Sequence, residues 1–95
     1  MHLLFLWLRS PELAIERVAE RVRLGGHDVP AAVVRRRYHK GLRNFFSLYM
    51  PLADDWQFLD NSDPDAPTIA AGTSTVVRWL GSANVWRSLT EQHDG

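Results

Sequence analysis

The run Leu3-Leu4-Phe5-Leu6-Trp7-Leu8, closed by Arg9-Ser10-Pro11-Glu12, sets the fold class of this chain. It is far shorter than the ~20 apolar residues that a membrane helix needs, no basic residue precedes it, and no small-residue cleavage site follows. A membrane span and a signal peptide are therefore not expected. A short continuous apolar run that ends at a turn signal fits a strand buried on both faces, the kind found inside parallel sheets. Such a strand needs a neighbour on each side.

Working outward, Ser10-Pro11-Glu12 opens a helix. The Ser10 hydroxyl can accept from free backbone N–H groups, Pro11 suits the first helical position, and Glu12 complements the positive helix end. Pro11, Ile15, Val18 and Val22 form its apolar stripe, with Glu12, Glu16 and Glu20 on another face. Gly25-Gly26 stops it. A strand followed by a helix of this kind is half of a β-α-β unit. Gly25-Gly26-His27-Asp28-Val29-Pro30 is a hinge-like loop, and Pro30 presets a second helix from about Ala31 to Tyr49. Val34, Tyr38, Leu42, Phe45 and Tyr49 make its buried stripe, Arg36, Lys40 and Arg43 share a different face, and Pro51 ends it. Further strands are expected at Trp56 to Leu59, at Thr68 to Ala71 antiparallel to it, and at Thr75 to Leu80. The segment Asp60 to Pro67 reads as a turn, and Asn84 to Gln92 as a helix with Val85, Trp86 and Leu89 inward.

The chain has 95 residues, which bounds it at one small domain. Absence of cysteine excludes a disulfide framework, a thiolate zinc site and a cysteine nucleophile, and suits a cytoplasmic protein. Net charge is zero, but it divides unevenly. Up to Met50 nine basic residues face four acidic ones, a net of +5; from Pro51 onward two face seven, a net of −5. The positive half is the candidate for handling an anion.

Several stretches carry a family resemblance. They are Phe5-Leu6-Trp7-Leu8, Ser10-Pro11-Glu12-Leu13-Ala14, Glu16-Arg17-Val18-Ala19, Arg21-Val22, Gly25-Gly26-His27-Asp28-Val29-Pro30, Arg35-Arg36-Arg37-Tyr38, Gly41-Leu42-Arg43-Asn44, Leu48-Tyr49, Pro51-Leu52-Ala53-Asp54 and Asp60-Asn61-Ser62. From Phe5 to Ser62 the chain resembles the C-terminal half of the zeta-toxin family of P-loop kinases, in particular the bacterial branch labelled predicted ABC-type ATPases. The resemblance implies an α/β fold: a parallel strand, a helix, a lid at about residues 24–37, a second helix, short antiparallel strands and a terminal helix, all in one partial domain over residues 1–95. It implies ATP with magnesium as the cofactor and phosphoryl transfer to a hydroxyl, the family's substrate being a UDP-activated amino sugar. Arg36 and Arg37 would take the catalytic role, while Arg17, Arg21 and Asn61 would contact nucleotide. Guanidinium groups suit that task, because phosphoryl transfer asks the protein to stabilise charge spread over phosphoryl oxygens.

One departure governs what this chain can do alone. A P-loop kinase cradles phosphate on a G-x-x-x-x-G-K-[ST] loop, and no such motif occurs here; the only lysine is Lys40. The family's catalytic carboxylate also belongs to the absent half. The expectation is a lid-bearing C-terminal part that is inactive by itself, partnered by an N-terminal kinase half or an antitoxin-like protein. Self-association through an exposed sheet edge is an alternative pairing. The competing function is a non-catalytic remnant or interaction module. Bland readings stand beside these: Arg35-Arg36-Arg37 as a solvated helix face, Arg17 and Arg21 in surface ion pairs, Asp60-Asn61-Ser62 as a plain turn. Nucleic acid is disfavoured because no aromatic platform accompanies the basic run. No metal site is expected, since His2, His27, His39 and His93 lack ligand spacing.

Overall fold

A computed structural model describes residues 1–93; Asp94, which belongs to the acidic half, lies outside them. The element order is β1 (His2–Trp7), α1 (Pro11–Arg23), α2 (Ala31–Asn44), a π-helical turn (Phe45–Tyr49), α3 (Met50–Leu52), β2 (Asp55–Asp60), β3 (Thr68–Thr73), β4 (Val76–Leu80) and α4 (Ala83–His93). The four strands form one mixed sheet in the order β1-β2-β3-β4. β1 and β2 run parallel, with Leu3 opposite Trp56, Phe5 opposite Phe58 and Trp7 opposite Asp60. β2, β3 and β4 then pair antiparallel.

The parallel pairing follows from chain length, since α1 and α2 together return the chain to the end of the sheet where β1 began. The helix start matches its signals: Leu13 N–H donates to Ser10 Oγ at 3.2 Å and Pro11 is the first helical residue. At the other end Gly25 N–H donates to Val22 O and Gly26 N–H to Arg21 O, which closes the helix through a left-handed Gly25 (φ +98°). The glycine pair expected as a hinge is thus engaged in a helix cap. Residues 31–37 of the expected lid are helical, within α2.

The core lies on one face of the sheet. Trp7, Leu42, Phe45, Ala53, Trp56, Phe58, Ile69, Ala70, Trp86 and Leu89 form a single buried cluster, with Phe5, Tyr38, Phe46 and Met50 packed against it. Among the described residues no helix covers the opposite face, so β1 is not buried on both faces as its composition suggests: Leu4 is 58% exposed and Leu6 53%. It also has one strand neighbour rather than two, because it stands at the sheet edge.

A second correction concerns α2. A regular helix puts Phe45 and Tyr49 on one face, but the π-helical turn inserts a residue and advances the inward position by one. Met50 packs on the core instead, and Tyr49 is 45% exposed. The same turn explains why Pro51 does not stop the helix at Tyr49. Helix α3 restarts at Met50, which places Pro51 in a first turn, where its missing N–H costs little.

Phe45→Ala should cost about 3–5 kcal/mol in urea unfolding and Tyr49→Ala less than about 1 kcal/mol. Equal costs would restore the regular helix. Gly72→Ala should unfold the hairpin side, because the added Cβ would run into the Val76 carbonyl and lie 2.7 Å from Trp56 Cζ2.

Candidate functional site

The five residues singled out by sequence fall on three elements. Arg17 and Arg21 stand four apart on α1 and line an open hollow together with Leu13, Glu16, Ala19, Glu20 and Arg23. Arg36 and Arg37 are exposed on α2. Arg37 borders a different hollow beside β1, with Phe5, Leu6 and Leu8. Asn61 follows β2, and its N–H donates to Trp7 O at 2.7 Å.

Neighbouring charges divide the arginines into two sets. Arg35 donates to Glu12 at 2.7 Å and ties α2 to α1, and Arg23 pairs with Glu20. The Arg35 guanidinium holds the Glu12 carboxyl below its ordinary range, chiefly by their hydrogen bond. Among the described residues Arg17, Arg21, Arg36 and Arg37 make no ion pair. They keep their donors for an anion or for water.

The turn after β2 binds the two parallel strand ends together. Ser62 N–H donates to Asp60 Oδ1 at 2.9 Å, Arg9 N–H donates to Ser62 Oγ at 2.8 Å, and Asn61 closes on Trp7. All three contacts satisfy backbone groups, which is what a turn requires.

Sequence reasoning did not find a cleft of about 610 Å³ beyond the carboxyl end of β1. Trp7, Leu42, Val85 and Leu89 give it an apolar floor, Arg9, Tyr38 and His39 stand on one side, and α4 supplies Asn84, Ser88, Gln92 and His93. Asn84, Ser88 and Gln92 recur every fourth residue, so the polar stripe of α4 was present in the sequence. What faces it across the gap was not. Tyr38 Oη donates to Leu8 O at 2.6 Å, and its pKa is raised by burial, partly offset by the approaching Trp7 indole. That approach does not complete a hydrogen bond: Trp7 Nε1 is a buried polar atom without a partner among the described residues.

His93 stacks on Phe46 at 5.2 Å, and its pKa is pushed below the ordinary 6.5, first by burial and then by the charges of Arg43 and His39. Among the described residues no group of three or more His, Asp or Glu side chains stands where it could hold a metal ion, and no helix is long and apolar enough to cross a membrane. No family model, curated protein or solved structure matches the chain.

The His93 shift has a stability consequence. The unfolded chain binds the proton at higher pH than the folded one, so stability is complete above pH 6.5 and falls as pH drops toward the folded value. His93→Gln should flatten that part of the pH–stability curve, measured by urea unfolding at steps from pH 7.5 to 5 in the buffer series. An NMR titration of wild-type His93 should show a midpoint below 6.5; a midpoint above it would reverse the slope.

Proposed function

We propose that the chain is the arginine-bearing C-terminal part of an ATP-dependent kinase resembling zeta toxins, inactive until a partner supplies the phosphate-binding loop and catalytic base. The observation that carries this is the parallel β1-α1-α2-β2 unit, on whose helices Arg17, Arg21, Arg36 and Arg37 are among the arginines that have no carboxylate partner among the described residues. An unpaired parallel edge at β1 supports it further, because an additional strand can pair there. In this reading Arg17 and Arg21 contact nucleotide phosphates, Arg36 and Arg37 neutralise the transferred phosphoryl group, and Asn61 borders the nucleotide. Magnesium is held by the partner's loop and the nucleotide. The acceptor is a hydroxyl, on the family's pattern that of a UDP-activated amino sugar.

The isolated chain should bind Mg-ATP only in the millimolar range, with affinity that falls steeply as salt is added, and should not hydrolyse it. Converting Arg17, Arg21, Arg36 and Arg37 to Ala should remove even this binding. Sub-micromolar binding or turnover by the chain alone would contradict the need for a partner, and unchanged binding in the quadruple variant would remove the arginines from the site. Co-expression with a phosphate-loop-bearing half of a zeta-type kinase should restore hydrolysis, and Arg36→Ala/Arg37→Ala should reduce that restored rate at least about tenfold.

A second reading, an interaction module without catalysis, is favoured by the uncovered sheet face. Register places Leu4, Gln57, Ala71 and Trp79 in one row across that face, and Trp79 is 53% exposed. Sedimentation should then show self-association that Leu4→Lys abolishes. A monomer at all concentrations would leave this face without a role in pairing like chains.

A further inference from the structure

The cleft beyond β1 plays no part in the kinase reading, and its chemistry is different from that of the α1 arginines. Its floor is apolar, and a flat ligand body of up to two fused rings would be accommodated in about 610 Å³. Its charged and titratable lining is Arg9, His39 and His93 together with the Tyr38 phenol, with no carboxylate among the described residues that line it. Glu12, the acid nearest to Arg9 along the chain, is held by Arg35 at 2.7 Å. At the α4 end Arg43 and His39 both oppose protonation of His93, whereas the Glu12 charge is felt at Tyr38 and His39.

Trp7 adds a specific unmet need. The residue is 8% exposed and forms part of the cleft wall, and its indole N–H has no acceptor among the described residues. A buried donor without a partner is left desolvated and uncompensated, so an acceptor brought to it is favoured. Tyr38, whose hydroxyl is already engaged with Leu8 O, borders the same space and would have to shift for that acceptor to reach Nε1. On the far side Asn84 and Ser88 offer neutral polar groups that can orient a ligand's edge.

From this lining we infer that the cleft is a binding site for a small organic anion with a flat apolar body, its carboxylate directed to Arg9 and its rings laid on Leu42, Val85 and Leu89. Open α/β sheets leave ligand space outside the carboxyl ends of their parallel strands, and this cleft occupies that place. All the lining residues named here come from this chain.

The test uses 2-naphthoate and its uncharged isostere 2-naphthamide with the full chain, followed by calorimetry and by the NMR resonance of the Trp7 indole N–H. Naphthoate should move that resonance saturably and bind at least about fivefold more tightly than the amide. Arg9→Gln should weaken naphthoate about tenfold and leave the amide unchanged. Ser88→Trp, which fills the cleft from the exposed side of α4, should abolish binding of both while circular dichroism shows a folded chain. Trp79→Ser on the uncovered sheet face, outside the cleft lining, should leave the affinity for naphthoate unchanged. The inference is overturned if saturating naphthoate leaves the Trp7 resonance unmoved, if Arg9→Gln binds it as tightly as wild type, or if Trp79→Ser rather than Ser88→Trp removes binding.

Discussion

Everything in this fold depends on the burial of one aromatic layer against one face of the sheet. Phe45 has no exposed surface, and its ring meets Phe5, Phe46, Trp56 and Phe58 at centroid distances of 4.9 to 5.7 Å. Trp86 stacks on Trp56 at 5.3 Å and brings α4 to the same side. Tilted and edge-on contacts of this kind add to the area they remove from water. Because the π-helical turn and α4 both deliver their aromatic residues to that side, no element among the described residues covers the other. The exposed Leu4, Leu6 and Trp79 are therefore the counterpart of the core.

The hairpin is held to this layer by backbone contacts as well as by packing. Trp56 Nε1 donates to Ser74 O at 2.8 Å, Ser74 N–H donates to Ala53 O at 3.1 Å, and Ser74 Oγ donates to Pro51 O at 2.9 Å. The turn between β3 and β4 is thereby fastened to the end of the helical segment. Gly72 lies against the Trp56 ring, where a side chain would not fit. These contacts make β4 part of the fold although all its residues are exposed.

Charge is arranged on the remaining surface. Of the seven arginines on α1 and α2, Arg23 and Arg35 pair with carboxylates, and among the described residues the other five do not, so the basic half of the chain is neither wholly structural nor wholly free. Of the unpaired helix arginines, Arg21, Arg36, Arg37 and Arg43 are exposed and Arg17 is half-buried, whereas Arg9, exposed in the loop after β1, borders a cleft with an apolar floor. A cation beside a low-dielectric wall attracts an anion more strongly than one in open water. The two candidate anion sites therefore differ in kind: one is spread over α1 and α2 and open, the other is compact.

Local signals were legible wherever neighbours in sequence decide the outcome. Ser10 and Pro11 opened α1, Gly25-Gly26 closed it, and the apolar residues Trp56, Phe58, Ile69 and Ala70 marked strands that are observed. Where long-range packing decides, the sequence was insufficient. Six consecutive apolar residues could not tell a central strand from an edge strand, because burial depends on what covers each face and nothing in the run itself records that. The π-helical turn was hidden for a related reason: Phe45 and Phe46 both gain by packing inward, and only the aromatic layer they join compensates for the distorted helix. The candidate site shows the same division. Arginine spacing on α1 and α2 is a property of the chain, and so is the polar stripe Asn84, Ser88 and Gln92. The cleft exists only where α4 returns beside α2 and β1, some forty residues or more along the chain, and that return is set by the tertiary packing of Trp86 and Leu89 on the sheet.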